Sequence, residues 1–337
     1  MRLGLPTPSL PTSRLPISVL TGFLGSGKTS LLARVLADPD FADTVVMINE
    51  FGTIGLDHLL LEAADGAVVA MPSGCLCCVL RQDLADTLYG LLRRRASGDL
   101  PPFRRIVVET SGLAEPAPIL STLSADAFLE QALALNSVVT MIDAVAGLDT
   151  LDRFTEAREQ AALADRLLIS KTDLAPTPTA LLDRLAALNP LATIDPSTTL
   201  PPSQNLFGAG RPALPRTRFT VTSHTEGIHA LAIILDRPMT RLGFAIALGG
   251  LAQAHGADLL RVKGLVAFAD RAGGPAAIHA VQHTMYPPEW LPDWPDADRR
   301  SRLVFIVRDL DDTTILDRFA AGETRPAHSE ETVTGEN

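Results

Sequence analysis

Eight consecutive residues, Gly22-Phe23-Leu24-Gly25-Ser26-Gly27-Lys28-Thr29, stand between a short apolar run at 17–20 and an apolar-periodic stretch at 31–37. They fit G-x-x-x-x-G-K-S/T, and strand, glycine loop and helix come in the order a phosphate cradle needs. Glycines let backbone N–H groups curl around a β-phosphate, and the helix N-terminus turns its partial positive charge toward that anion. In this reading Gly22, Gly25, Ser26, Gly27 and Ser30 bind the nucleotide. Lys28 reaches the β- and γ-phosphates and takes part in the chemistry, and Thr29 offers its hydroxyl to Mg²⁺. A plain glycine-rich turn is the alternative.

Such a cradle needs a carboxylate at the end of another strand and a backbone N–H that senses the γ-phosphate. Ile106-Val107-Val108-Glu109-Thr110-Ser111-Gly112 supplies both, with Glu109 at the metal and Gly112 at the phosphate. A strand-terminal glutamate also reads as a helix cap or a solvated end. Asn49-Glu50-Phe51-Gly52 adds Glu50 as a second Mg²⁺ carboxylate on a loop, or else is an exposed turn. Ser170-Lys171-Thr172-Asp173 follows an apolar run at 167–169. Asp173 could accept both N1–H and N2–H₂ of guanine, and the stem of Lys171 could lie against the base. GTP is therefore expected over ATP, with a charged surface turn as the competing reading.

Gly74-Cys75-Leu76-Cys77-Cys78 holds all three cysteines of the chain. Thiolates this close repel one another unless a cation neutralises them, and sulfur suits Zn²⁺ or another late transition ion such as Co²⁺. Three sulfurs leave a fourth position open, which suits transfer. The cluster is expected on a loop between the strand at 67–71 and a following helix. Cys75 and Cys78 also form a C-x-x-C redox pair, and inert buried thiols are a third option. His58, His224, His229, His255, His279, His283 and His328 form no tract of ligand density and read as structural or exposed. Arg261 and Lys263, with Arg299, Arg300 and Arg302, read as solvated faces beside strands, with docking of a partner as the alternative.

To bring these motifs together the chain must place several strand ends side by side. Apolar runs at 17–20, 44–48, 67–71, 106–108, 137–142 and 166–169 alternate with helical patterns at 31–37, 80–95 and 154–164. That alternation implies a parallel, doubly wound α/β sheet covered on both faces. Residues 1–15 read as a leader, 16–194 as the nucleotide domain, and 195–216, rich in Pro and Gly, as a linker. Strand patterns at 218–222, 230–235, 260–269, 278–285 and 303–307, with helices at 241–255 and 313–321, give a smaller α+β domain over 217–322. Its strands are expected to pair mostly with sequence neighbours, and 323–337 reads as a tail.

The 337 residues are 46% hydrophobic and 20% charged, enough for two cores, which excludes a wholly disordered chain. A net charge of -10 gives no long-range attraction to nucleic acid. No apolar stretch reaches the eighteen or so residues that span a bilayer, so no membrane partner is expected and the cytoplasm is the default location.

Together these residues resemble the CobW-type P-loop GTPases, which include nitrile hydratase activators and zinc chaperones related to the nickel-insertion GTPases for urease and hydrogenase. The match runs in order through residues 21–29, 49–52, 74–78, 109–116 and 170–173. It continues in Leu259-Leu260-Arg261-Val262-Lys263-Gly264 and Ser301-Arg302-Leu303-Val304-Phe305-Ile306, from about residue 16 to 321. The resemblance implies Mg²⁺–GTP binding, slow GTP hydrolysis, and zinc or cobalt held by Cys75, Cys77 and Cys78. It also implies delivery to a client metalloprotein that docks on the C-terminal domain. A homodimer is one option that the sequence leaves open. Ser170 stands where the family carries asparagine, and the His-rich segment of many members is absent. Two rivals remain from the residues alone. A small-molecule kinase predicts ATP preference and an acceptor pocket; a redox or regulatory module with structural zinc predicts metal binding indifferent to nucleotide.

Overall fold

The computed structural model describes residues 13–48, 67–70, 77–199, 206–207, 227–320 and 324–326; for 67–70, 77–83 and 324–326 only the backbone is described. Expectations for residues 49–52 (Glu50 included) and 218–222, for the leader, most of the linker and nearly all of the tail, and for Cys75 lie outside them. The chain forms two compact units, one of residues 1–160, 164–178 and 194–212, the other of 161–163, 179–193 and 213–337.

In the first unit β1 (Leu15–Gly22) runs into α1 (Lys28–Leu36), followed by a 3₁₀ turn, β2 (Thr44–Ile48), β3 (Ala67–Ala70), α2 (Cys77–Ser97) and β4 (Arg105–Glu109). Then come α3 (Ala117–Ala125), α4 (Ala127–Ala132), β5 (Leu133–Asp143), α5 (Gly147–Arg153), α6 (Thr155–Leu163) and β6 (Arg166–Ser170). The sheet order is β3-β2-β4-β1-β5-β6-β7, where β7 is Thr193–Pro196. Among the described residues the strand pairs from β3 to β6 are all parallel. Both faces are covered, as the burial of all of β2 and of every residue of β1 and β4 but Pro16 and Arg105 requires. On one face Leu31, Leu32, Val35 and Leu36 of α1 pack on Leu20, Val46, Val107, Val139 and Met141, with Phe207 completing the cluster. Arg34, in the last turn of α1, donates to the carbonyls of Ser197 (2.7 Å) and Thr198 (3.1 Å) and so fixes the chain after β7. β7 and the helix before it, α7 (Thr179–Leu188), had no counterpart in the sequence reading.

The second unit is a sheet of order β11-β10-β9-β13-β8-β14, with β12 (Glu289–Trp290) beside β10. Its strands are β8 (Ile228–Leu235), β9 (Arg261–Val266), β10 (Ala276–Val281), β11 (Thr284–Met285), β13 (Ser301–Arg308) and β14 (Thr324–Pro326). The expectation of mostly sequence-neighbour pairing is corrected. β13 lies antiparallel between β8 and β9, and β14 pairs antiparallel with β8. β8 and β9 are thus parallel strands joined through α8 (Arg241–His255), and β13 and β14 through α9 (Asp312–Arg318). Two interlocked split β-α-β units make a ferredoxin-like arrangement extended at one edge by β10–β12. The expected strand at 278–285 is broken by a turn in which Gln282 has φ 51°.

One face of this sheet packs on α8 and α9 through Leu231, Phe244, Leu251, Phe305 and Phe319. Thr240 caps α8 by accepting from Gly243 N–H at 3.0 Å. Arg261, Lys263 and Arg302, expected at the surface, are buried. A buried guanidinium is tolerated when acceptors surround it. Arg261 donates to the Leu163 carbonyl, and Arg302 to Asp296 (2.6 Å) and the Asp298 carbonyl (2.8 Å). Arg299 is exposed and Arg300 pairs with Asp298 at 2.9 Å.

Candidate functional site

The loop from β1 into α1 curls because its glycines allow it. Gly25 and Gly27 have φ of 70° and 92°, a region that disfavours residues with a Cβ. A Cβ on Gly22 would lie 2.6 Å from the Met141 carbonyl oxygen. Gly27 is the N-cap of α1, Lys28 its first residue, and Ser30 lies exposed in the first turn. Lys28 folds back over the loop, donating from Nζ to the carbonyls of Gly22 (2.7 Å) and Phe23 (3.2 Å). Ser26 is buried, and its Oγ has no hydrogen-bond partner among the described residues.

Parallel register brings the end of β4 beside this loop, since Leu20 pairs with Glu109. Thr29 Oγ1 lies 3.5 Å from Oε1 of the buried Glu109. A hydroxyl and a carboxylate at this spacing, both oxygen donors, fit the hard-cation chemistry of Mg²⁺. Past Glu109, Thr110 donates to Thr21 Oγ1 at 2.7 Å, and its N–H to the Leu20 carbonyl at 2.9 Å. The chain then passes so close to the glycine loop that a Cβ on Gly112 would sit 2.6–2.8 Å from Cδ2, N and Cα of Leu24. Gly112 and Ala114 are also held by Gln160 of α6, whose Nε2 donates to their carbonyls at 3.1 and 3.0 Å.

At the end of β6, Ser170 donates its hydroxyl to the Ile142 carbonyl at 3.2 Å, and a Cβ on Gly27 would meet Ser170 Cβ at 3.6 Å. The Ser170–Asp173 segment therefore abuts the glycine loop. Lys171 adopts φ 57°, and its Nζ reaches Asp143 Oδ2 at 2.5 Å. The other Asp143 oxygen accepts from Val145 N–H (2.8 Å) and Ala146 N–H (3.3 Å). Burial pushes the Asp143 carboxyl up, but the Lys171 hydrogen bond and charge and the two backbone donors outweigh it and hold it below its ordinary value. Asp173 is exposed at the turn. Asp143 and Gln160 were missed in the sequence; a strand-terminal Asp143 was the only available signal for either.

For the thiols, the expectation of a loop is corrected in part. α2 begins at Cys77, so Cys77 and Cys78 occupy its first turn, because no helix breaker follows Gly74. Cys75 lies outside the described residues, as do the thiols of Cys77 and Cys78. The sheet still locates the segment's origin. Ala70 at the end of β3 is level with Ile48, and Ile48 with Glu109. At about 4.8 Å per strand, the chain leaves β3 roughly 10 Å from the Glu109 strand, at the same carboxyl end of the sheet. Among the described residues no group of His, Cys, Asp and Glu side chains forms a metal cluster. His229 pairs with Asp312 at 2.8 Å, His283 with the Ala252 carbonyl at 2.9 Å, and His279 stacks on Tyr286. No helix among the described residues is long and apolar enough to cross a membrane.

Two family models match. CobW/HypB/UreG, nucleotide-binding domain, covers residues 16–195, and the cobalamin synthesis protein cobW C-terminal domain covers 228–323. Zinc chaperone YjiA of Escherichia coli K12 is 31% identical over 315 residues, 91% of this chain and 98% of that protein. Zinc-regulated GTPase metalloprotein activator 1 of Schizosaccharomyces pombe is 34% identical over 48% of this chain and 39% of its own. The crystal structure of Zn(II)-bound YjiA GTPase from E. coli superposes with a TM-score of 0.71 at 25% identity, covering 92% of this chain and 99% of that one. The glycine loop with Thr29 and Glu109, the doubly wound sheet that aligns them and the separate C-terminal sheet accord with these matches, and the chain belongs to the CobW/HypB/UreG family of nucleotide-binding proteins, whose relatives include zinc chaperones and GTPases.

Proposed function

We propose that this protein hydrolyses GTP and uses the nucleotide state to control capture and release of a divalent transition metal, zinc or cobalt, for a client metalloprotein. One observation carries the reading. Lys28, the Thr29–Glu109 pair, Gly112 and the Ser170–Asp173 segment lie at the carboxyl ends of the parallel strands, and the strand that leads to the cysteines ends at that same end of the sheet.

In this reading Gly22, Gly25, Ser26, Gly27 and Ser30 cradle the phosphates, and Lys28 leaves its two loop carbonyls for the β- and γ-phosphates. Thr29 and Glu109, with Glu50, hold Mg²⁺, which when bound neutralises charge developing on the phosphates. Asp173 accepts from guanine, while Lys171 lies along the base with its ammonium tied to Asp143. Gly112 meets the γ-phosphate, so the loop after β4 rests differently with GTP and with GDP. Cys75, Cys77 and Cys78 bind the cargo metal as thiolates, with a position left for the recipient. The domain over 217–322 receives the client, and 16–194 is the GTPase domain.

Coupling between nucleotide and metal is reciprocal, and about 1–3 kcal/mol would change metal affinity roughly 5–150-fold. Competition titration of Zn²⁺ and Co²⁺ with Mg²⁺–GTP, Mg²⁺–GDP or neither, repeated with Cys77→Ala, tests it. Tighter binding with GTP that disappears in the variant supports the reading. Equal affinity in all nucleotide states overturns it.

A further inference from the structure

We infer that Gln160 is a positioning residue for hydrolysis: from α6 it sets the orientation of the peptide groups in the loop that faces the γ-phosphate. The inference rests on the GTPase reading above. Gln160 is 1% exposed, and its Nε2 bridges the carbonyls of Gly112 and Ala114. Both partners are acceptors, so the network itself decides which end of the carboxamide faces the loop.

The helix is anchored where the bridge is made. Thr140 of β5 donates its hydroxyl to the Gln160 carbonyl at 2.8 Å, in a fully buried contact. Gly112 also rests against the backbone of Leu24 in the phosphate loop. The segment after β4 is therefore held both by its close approach to the phosphate loop and by the side chain of a residue whose backbone is tied to the sheet.

In a trans peptide the N–H points opposite to the C=O. By drawing the Gly112 and Ala114 carbonyls toward α6, Gln160 turns the N–H groups of Leu113 and Glu115 away from it. Leu113 is half exposed, which leaves this part of the loop open to a ligand. A second observation separates positioning from packing. Gln160 Oε1 is buried with no hydrogen-bond partner among the described residues. The residue lines a recess with Phe23, Met141, Leu151 and Ala157. Packing alone would favour Leu or Met there, since a half-satisfied buried amide is costly.

Gln160→Glu keeps the shape and replaces the double donor with a carboxylate that repels both carbonyls; when protonated it regains one donor. The experiment measures GTP hydrolysis for wild type and variant across pH, with GTP and GDP affinities and thermal unfolding. We expect kcat about ten-fold lower at alkaline pH, KM within about two-fold, and recovery toward wild type as pH falls, because burial favours the protonated carboxyl. An unchanged kcat, or a loss with no recovery at low pH relative to wild type, overturns the inference. Should the glutamate variant not fold, Gln160→Met replaces it: lowered kcat at unchanged KM supports the positioning role, and wild-type kcat overturns it. A wild-type protein that hydrolyses no GTP overturns the underlying GTPase reading instead, a result read before any variant is made.

Discussion

Replacing Gly112 with alanine adds a single methyl group at the tightest point of the site. Its Cβ would lie 2.6 Å from Leu24 Cδ2, 2.7 Å from Leu24 N and 2.8 Å from Leu24 Cα. The side-chain contact could be relieved by a rotamer change, but the two backbone contacts cannot. Non-bonded heavy atoms pack no closer than about 3.5 Å, so the loop after β4 must withdraw from the phosphate loop by roughly 0.7–0.8 Å. Misplacement of a catalytic group by about 1 Å costs on the order of 100-fold in rate. We therefore expect Gly112→Ala to lower kcat for GTP hydrolysis about 100-fold while GDP affinity changes little, because GDP has no γ-phosphate for the loop to meet. Phosphate release under saturating GTP measures the first, and fluorescent-nucleotide titration the second. A Gly112→Ala protein with wild-type kcat would refute the argument that this contact sets the distance to the γ-phosphate.

Thr29→Ala and Glu109→Gln should each reduce Mg²⁺-stimulated hydrolysis by about 100-fold, and nucleotide binding measured in chelator should be unaffected; a Mg²⁺ titration of the hydrolysis rate checks both. Asp143 has its folded pKa below its unfolded one. Its contribution to stability is therefore fully present above about pH 4 and is lost as pH falls through the folded value. Asp143→Asn should accordingly flatten the acid limb of stability against pH in urea unfolding at a series of pH values, and an unaltered acid limb would count against the Lys171 pairing.

What could be read from the sequence were features local in the chain. The glycine loop, Lys28 and Thr29 form one contiguous strand-loop-helix, so their geometry follows from their order. Glu109 was legible because it ends an apolar run, and a parallel sheet puts such ends side by side. The missed residues act across distance. Gln160 reaches carbonyls 46 and 48 positions earlier, and Lys171 meets Asp143 across 28. No periodicity encodes such pairs. In the second unit, β13 between β8 and β9 reflects a choice among pairings of similar apolar strands, which pattern alone does not rank. The burial of Arg261 and Arg302 was hidden for the same reason, since the acceptors that make it tolerable come from Leu163, Asp296 and Asp298. α7 does carry a legible period in Leu181, Leu185 and Leu188, but Pro178 and Pro190 flank it and interrupt the pattern on both sides.

The pairing of β14 with β8 bears on aggregation. β8 reads Ile-His-Ala-Leu-Ala-Ile-Ile-Leu, and without a neighbour it would offer a row of unpaired N–H and C=O groups on an apolar ribbon, a template for another chain. β14 covers that row at Ile233, Ile234 and Leu235, and it places Pro326 opposite Ile233 on the last strand of the sheet among the described residues. A proline has no N–H to extend the ladder. Three residues thus cap the last three positions of β8, and a chain cut short before Thr324 would leave Ile233, Ile234 and Leu235 without that partner.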